Sequence, residues 1–290
     1  MNFSPIASEL EALLHWVRER ETVRRAKEAG LPKPWSADPL LQGYRWCNVS
    51  RMDDRVSREL MDGWYCEAPP AVQLAAVVLA RMVNWPQALL DATGGKPFCL
   101  ADLPRVREAL KARAAAGLKV FTGAYIVPGV PGESKVDSVC DLAGVIAHTA
   151  AEALQPTLRA TWEQLIRWQG LGGFLAGQIT ADLAYLAAGR AWPDRFAWAP
   201  VGPGSARGIN RLLGRPKDKA VTQAQFDGEL AAYMALMRAT IPEIDRDRSL
   251  GAQDYQSTLC EFDKYRRLEL GEGTVRARYD GAGTTQEVLL

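Results

Sequence analysis

Residues 163–186 read EQLIRWQGLGGFLAGQITADLAYL. Helical patterns on both sides meet at Gly170-Leu171-Gly172, followed directly by Gly173. Glycine suits such a turn because it permits positive φ and brings backbone N–H groups close to an anion, while the dipole of the following helix favours a phosphate. The plain alternative is a tight turn between two helices and nothing more. In the second helix Leu175, Ile179, Leu183 and Leu186 form an apolar face, and Gln178, Asp182 and Tyr185 fall on a neighbouring polar one.

Outward from the hairpin the chain predicts more helices than anything else. Ser8 and Glu11 have the spacing of a capping box ahead of Leu13, Leu14 and Val17. Residues 31–43, rich in proline and glycine, predict a loop. Residues 71–84 predict an apolar helix stopped by Pro86, and 103–116 a charged amphipathic one. Further helices are expected near 135–153, 155–169, 173–188, 205–214, 222–239 and 250–268. The one expected strand is 119–127, closed by Pro128, Gly129, Pro131 and Gly132. With no repeat and no flexible linker, residues 1–290 read as one mainly α domain, possible in two lobes, with a loosely held tail near 281–290.

Composition narrows the function. The 290 residues are 48% hydrophobic and 24% charged, which fits a globular chain and excludes disorder. The five cysteines include no CxxC pair and there are only two histidines, so no clustered metal centre is expected. No apolar run is long enough to cross a bilayer and no leader peptide is apparent, so the expectation is a cytoplasmic protein without membrane contact. A net charge of +1 means that any DNA contact must come from a local basic surface or backbone amides. Lys96 in Gly94-Gly95-Lys96-Pro97 lacks the glycine spacing and the following Ser/Thr of a P-loop.

The hairpin and the stretch after it resemble the helix-hairpin-helix DNA glycosylases, with a Gly-Pro-Gly-Ser turn at 202–205 where those enzymes carry a catalytic aspartate. Four motifs together point more narrowly: RWCNVSRMDD (45–54), GFLAGQITADLAYL (173–186), PVGPGSARGINRLLGR (200–215) and QSTLCEFDKYRR (256–267). They resemble the phage α-glutamyl/putrescinyl-thymine pyrophosphorylase family, described as amino acid:DNA transferases of thymidine hypermodification, and the related helical domain of hydroxymethyluracil-DNA kinases. Position 257 is Ser where Asn is typical of the family. The resemblance implies a glycosylase-like, two-lobed helical fold. It also implies action in the cytoplasm of an infected bacterium, on double-stranded DNA carrying pyrophosphorylated hydroxymethyluracil, with a free amino acid or polyamine as second substrate, and it implies no cofactor. Base excision, or a non-catalytic DNA-binding role beside a kinase, are the alternatives.

That reaction sets three tasks: neutralising pyrophosphate, deprotonating an ammonium and holding the base out of the stack. Asp182 is the candidate base, with Gln178 beside it; an aspartate paired inside the bundle is the alternative. Arg45, Asn48 and Arg51 are candidates to fork pyrophosphate oxygens, and Asp54 in the same cluster is a further catalytic candidate; a solvated charged face is the alternative. Lys264 could balance the leaving group, and Glu261 or Asp263 could bind the incoming ammonium, ordinary ion pairs along one helix being the alternative. The turn Gly202, Gly204 and Ser205 with Arg207 and Arg211, together with Gly170, Gly172 and Gly173, are the candidate phosphate or DNA contacts. Trp46 and Trp168 are candidates to stack on a base.

Overall fold

The computed structural model describes residues 3–122, 127, 129, 132–245 and 249–273. The described part is mainly helical and contains no strand. The chain divides into two compact units, Asp54–Trp198 and a discontinuous one made of Met1–Asp53 with Ala199–Leu290.

The discontinuous unit begins with α1 (Ala7–Glu28) and α2 (Pro39–Gly43). Helix α1 starts before the expected capping box: Ile6 is its N-cap, fixed by donating its N–H to the Leu212 carbonyl at 2.9 Å. Helix α2 interrupts the expected loop because Asp38-Pro39 supplies both an N-cap and a first-turn proline; the Asp38 carboxylate accepts the Leu40 N–H at 2.8 Å.

The continuous unit runs through α3 (Arg55–Gly63), α4 (Pro70–Val83), α5 (Pro86–Thr93), α6 (Leu103–Ala115), α7 (Lys135–His148), α8 (Ala150–Ala153), α9 (Leu158–Leu165) and α10 (Gly173–Leu183). Helix α4 is apolar on every side and is buried among α5, α7 and α10. It ends at Asn84 in the left-handed region, and Pro86, expected only as a stop, occupies the first turn of α5. The expected helix 155–169 is cut to α9, whose first amides donate to the Asp194 carboxylate at 2.7 and 3.0 Å. Residues 119–122 do not form the expected strand; 123–126, Pro128 and Pro131 lie outside the described residues, as does the tail at 281–290.

The chain then returns to the first unit with α11 (Pro203–Leu212), α12 (Gln223–Thr240), α13 (Pro242–Asp245) and α14 (Ala252–Glu269). Leu13, Trp16, Phe226, Tyr233, Leu259 and Phe262 fill the core where α1, α11, α12 and α14 meet. Helices α11 and α14 touch backbone to backbone, which is why α11 carries glycine four residues apart. A Cβ on Gly208 would lie 2.1 Å from the Leu259 carbonyl oxygen, and one on Gly204 would lie 3.0 Å from Cys260 Sγ.

Candidate functional site

Three of the four motif stretches meet on α14. The 45–51 segment is stitched to it by backbone groups: the Arg51 N–H donates to Asp254 Oδ1 at 2.7 Å, and the Cys47 N–H to Glu261 Oε2 at 3.3 Å. Lys264 donates to the Arg45 carbonyl and, at 3.1 Å, to Glu261, and its ammonium sits 4.4 Å from the centroid of the Trp46 ring. Glu261 and Lys264 therefore hold each other and the segment, so Glu261 is not the open ammonium-binding carboxylate expected from sequence. Trp46 is likewise packed, between Trp16 and Tyr265, and its Nε1 donates to the Leu40 carbonyl. Asn48 Nδ2 donates to the Asp53 carbonyl at 2.8 Å, shaping the short 3-10 turn Arg51–Asp53. Arg45 and Arg51 are half-buried, and Asp54 belongs to the other unit as the residue preceding α3.

Asp254, not singled out in the sequence, anchors this junction. Its carboxylate also accepts the Gly251 N–H at 2.9 Å, and burial raises its pKa above the ordinary value despite both amides.

The register set by Gly204 and Gly208 brings the arginines of α11 onto Asp263 of α14. Arg207 Nε donates to Asp263 Oδ2 at 2.8 Å and Arg211 Nε to Oδ1 at 2.9 Å, while Arg267 Nε lies 3.9 Å from Oδ2. Asp263 is 1% exposed. A carboxylate buried under guanidiniums is their anchor, which removes it from the role of ammonium ligand. Arg211 also donates to Glu272 at 2.5 Å, and that contact holds the Glu272 carboxyl below its usual range. Ser205 is completely buried. Its hydroxyl accepts from the Gly202 N–H at 3.0 Å and from Gln256 Nε2 at 3.2 Å and donates to the Gly202 carbonyl. The hydroxyl is thereby saturated, and Gly202, Gly204 and Ser205 serve the turn and the helix contact in place of an anion. At Cys260 beside them, burial, reinforced by Glu261, pushes the thiol up to about 12.

The fourth motif lies in the continuous unit. A turn joins α9 to α10, with Gly170 at φ +94° and Gly172 and Gly173 exposed; Trp162 Nε1 donates to the Gly173 carbonyl at 2.9 Å. Ten residues on, Asp182 is fully buried. Its Oδ2 accepts from Arg81 Nε at 2.6 Å and from the Tyr65 hydroxyl at 2.6 Å, and its Oδ1 accepts from Arg81 Nη2 at 2.7 Å. Arg81 continues to Ser57 and Asn84 at 3.1 and 3.3 Å. This is a bidentate internal ion pair, the alternative reading of Asp182 from sequence, and Arg81 and Tyr65 are partners that the motif reading missed. Gln178 is half-buried one turn away, and Trp168 packs against the core of this unit.

Two small clefts are found, one in each unit. One cleft of about 170 Å³ lies beside Tyr65 and Phe98, and one of about 230 Å³ lies among Val17, Val49 and Tyr255. Ligand pockets ordinarily run from about 300 Å³ upward, so charged surface features remain as the places for a large substrate. Among the described residues no helix is long and apolar enough to cross a membrane, and no cluster of three or more His, Cys, Asp or Glu could hold a metal ion.

Comparison with known proteins agrees with the motifs. A 5-hmdU (5-hydroxymethyldeoxyuridine) DNA kinase of Bacillus phage SP10 is 27% identical over 211 residues, which cover 63% of this chain and 33% of that protein. The chain thus matches about a third of the length of this curated relative. No solved structure matches. Residues 8–274 match the family described as the 5-hmdU DNA kinase helical domain, and the chain belongs to that family.

Proposed function

We propose that this protein is a DNA-modifying transferase of thymidine hypermodification. In the proposed reaction an amine attacks the methylene carbon of a pyrophosphorylated hydroxymethyluracil in DNA. A C–N bond forms, the C–O bond to pyrophosphate breaks with its electron pair leaving on oxygen, and the ammonium gives up its proton. Family membership supports the hydroxymethyluracil chemistry. The observation that carries the phosphate-handling part is the convergence of residues 45–54, 200–215 and 256–267 around α14. There three arginines from two helices gather on one buried aspartate. A glycosylase-like, two-lobed helix-hairpin-helix architecture belongs to this reading, with the 170–173 turn against the DNA backbone. Arg45 and Arg51 are the further candidates to meet the pyrophosphate.

Phosphorylation of hydroxymethyluracil DNA is the second reading, favoured by the name of the phage relative. Against it, Gly94 and Gly95 at φ +65° and +75° simply end α5, and nothing there cradles a nucleotide phosphate. The deciding experiment supplies the protein with DNA bearing 5-(pyrophosphoryloxymethyl)uracil and glycine, glutamate or putrescine, followed by nuclease digestion and mass spectrometry. A new aminated nucleoside with release of pyrophosphate is expected. If every amine leaves the nucleoside unchanged while the DNA still binds, the transferase reading is wrong. A phosphorylated nucleoside formed from ATP and hydroxymethyluracil DNA would establish the kinase reading, and abasic sites would establish excision.

A further inference from the structure

We infer that Arg207 and Arg267 form a two-pronged binding site for phosphate oxyanions on the α11/α14 face, taking the pyrophosphate that leaves in the proposed transfer. The inference deepens that reading and rests on it for the identity of the ligand, though not for the existence of the site. Asp263 has two oxygens, and both already accept a guanidinium N–H, from Arg207 and from Arg211. Arg267 is left at 3.9 Å, and its buried Nε has no hydrogen-bond partner among the described residues. Glu272 accepts from Arg211 and makes no ion pair with Arg207 or Arg267 among the described residues. Three fixed positive charges thus face two carboxylates, and both carboxylates are engaged through Arg211.

The excess points outward. Arg207 and Arg267 are each 30% exposed, whereas Arg211 is 7% exposed and lies behind them. Apart from their approach to Asp263, neither makes an ion pair or hydrogen bond with a described residue, so among the described residues the terminal N–H groups of both have no acceptor. Guanidiniums held together with fewer carboxylates than cations repel one another, and the arrangement becomes more favourable when a further anion bridges them. A guanidinium offers parallel N–H groups that match two oxygens of one phosphoryl group, so a pair on facing helices suits a diphosphate. The DNA backbone has the same chemistry and is the other source of such oxygens.

The test is a calorimetric titration of inorganic pyrophosphate into the full chain and into Arg207→Gln, Arg267→Gln and the double variant. Arg105→Gln, an exposed α6 arginine in the other unit, serves as the control. Saturable binding that weakens at least about tenfold in the double variant, with the control unchanged, is expected. Absence of saturable binding to the natural protein, or a double variant within about twofold of it, overturns the site. Arg207→Lys and Arg267→Lys keep the charge without the fork and should bind less well than the natural protein, covering the case in which a glutamine variant fails to fold. A parallel titration with unmodified duplex DNA separates the sources: loss of duplex binding with pyrophosphate binding intact overturns the leaving-group assignment. Failure of the amine panel alongside a lost pyrophosphate titration in the variants would remove the transferase reading and leave the anion site standing.

Discussion

Asp182→Asn distinguishes a fold role from a chemical one at the most suggestive residue of the hairpin motif. The substitution keeps one acceptor oxygen but removes the charge and one arm of the bidentate contact with Arg81, whose side chain is 3% exposed. Ser57 and Asn84 are neutral partners and cannot balance a buried guanidinium. Breaking one side of a buried ion pair costs about 3–5 kcal/mol, a large part of the roughly 5–15 kcal/mol that holds a domain folded. Tyr65→Phe, which deletes a neutral donor to the same carboxylate, should cost less, about 1.5–3 kcal/mol. Replacing the whole pair, Arg81→Met with Asp182→Leu, should recover most of the loss, because no uncompensated charge remains. Urea unfolding followed by tryptophan fluorescence reads this directly, since six of the nine tryptophans belong to the unit that holds the pair. If Asp182→Asn unfolds within about 1 kcal/mol of the natural protein and yet abolishes base modification, the carboxylate serves chemistry and the structural account of it is refuted.

Two further outcomes follow from packing and charge. Gly208→Ala should destabilise by about 3 kcal/mol or more, because the added methyl would meet the Leu259 carbonyl at 2.1 Å. Gly228→Ala, inside α12 with nothing within 4 Å, should stabilise by about 0.5–1 kcal/mol, so thermal unfolding of the two variants should move in opposite directions. At Glu229, burial pushes the carboxyl up, but the two contacts from Arg215 at 2.6 and 2.8 Å and one from Gln225 outweigh it and hold the pKa below the ordinary value. A depressed carboxyl adds stability above its unfolded pKa of about 4.3 and loses it as pH falls through the folded value. Glu229→Gln should therefore be clearly less stable than the natural protein at pH 7, with the gap closing as pH falls below about 4; a gap that is constant with pH would refute the ion pair as its source.

Helices with strong periodicity were legible in the sequence. The expected 103–116 is found as Leu103–Ala115, and 222–239 as Gln223–Thr240. Short helices were not, because α2 and α5 each begin at a proline, and proline reads as a breaker unless its place in a first turn is recognised. The Arg81–Asp182 pair left a signal that was not used. Residues 70–83 carry a single charge in an apolar helix, residues 173–183 carry another, and charges in such settings require partners. The Asp263 cluster was only half visible. Arg267 is four residues from Asp263 on one helix face, but Arg207 and Arg211 arrive from more than fifty residues away. Their arrival depends on the close contact made by Gly204 and Gly208, and of these Gly204 belongs to the turn expected from sequence to bind an anion.

The two buried aspartates show how to separate a scaffold charge from one that prepares a site. Asp182 and Arg81 engage each other through both carboxylate oxygens, and Arg81 also donates to Ser57 and Asn84. Asp263 is equally buried but is outnumbered, so the arginines it gathers are positioned in advance and remain short of negative charge. A preorganised excess of donors is what a departing polyanion requires, since the arginines need not be reordered as its charge develops. By that criterion the residue that best marks the proposed chemistry is not the aspartate on the helix after the glycine hairpin. It is the aspartate of α14, which does no chemistry itself and fixes the cations that would.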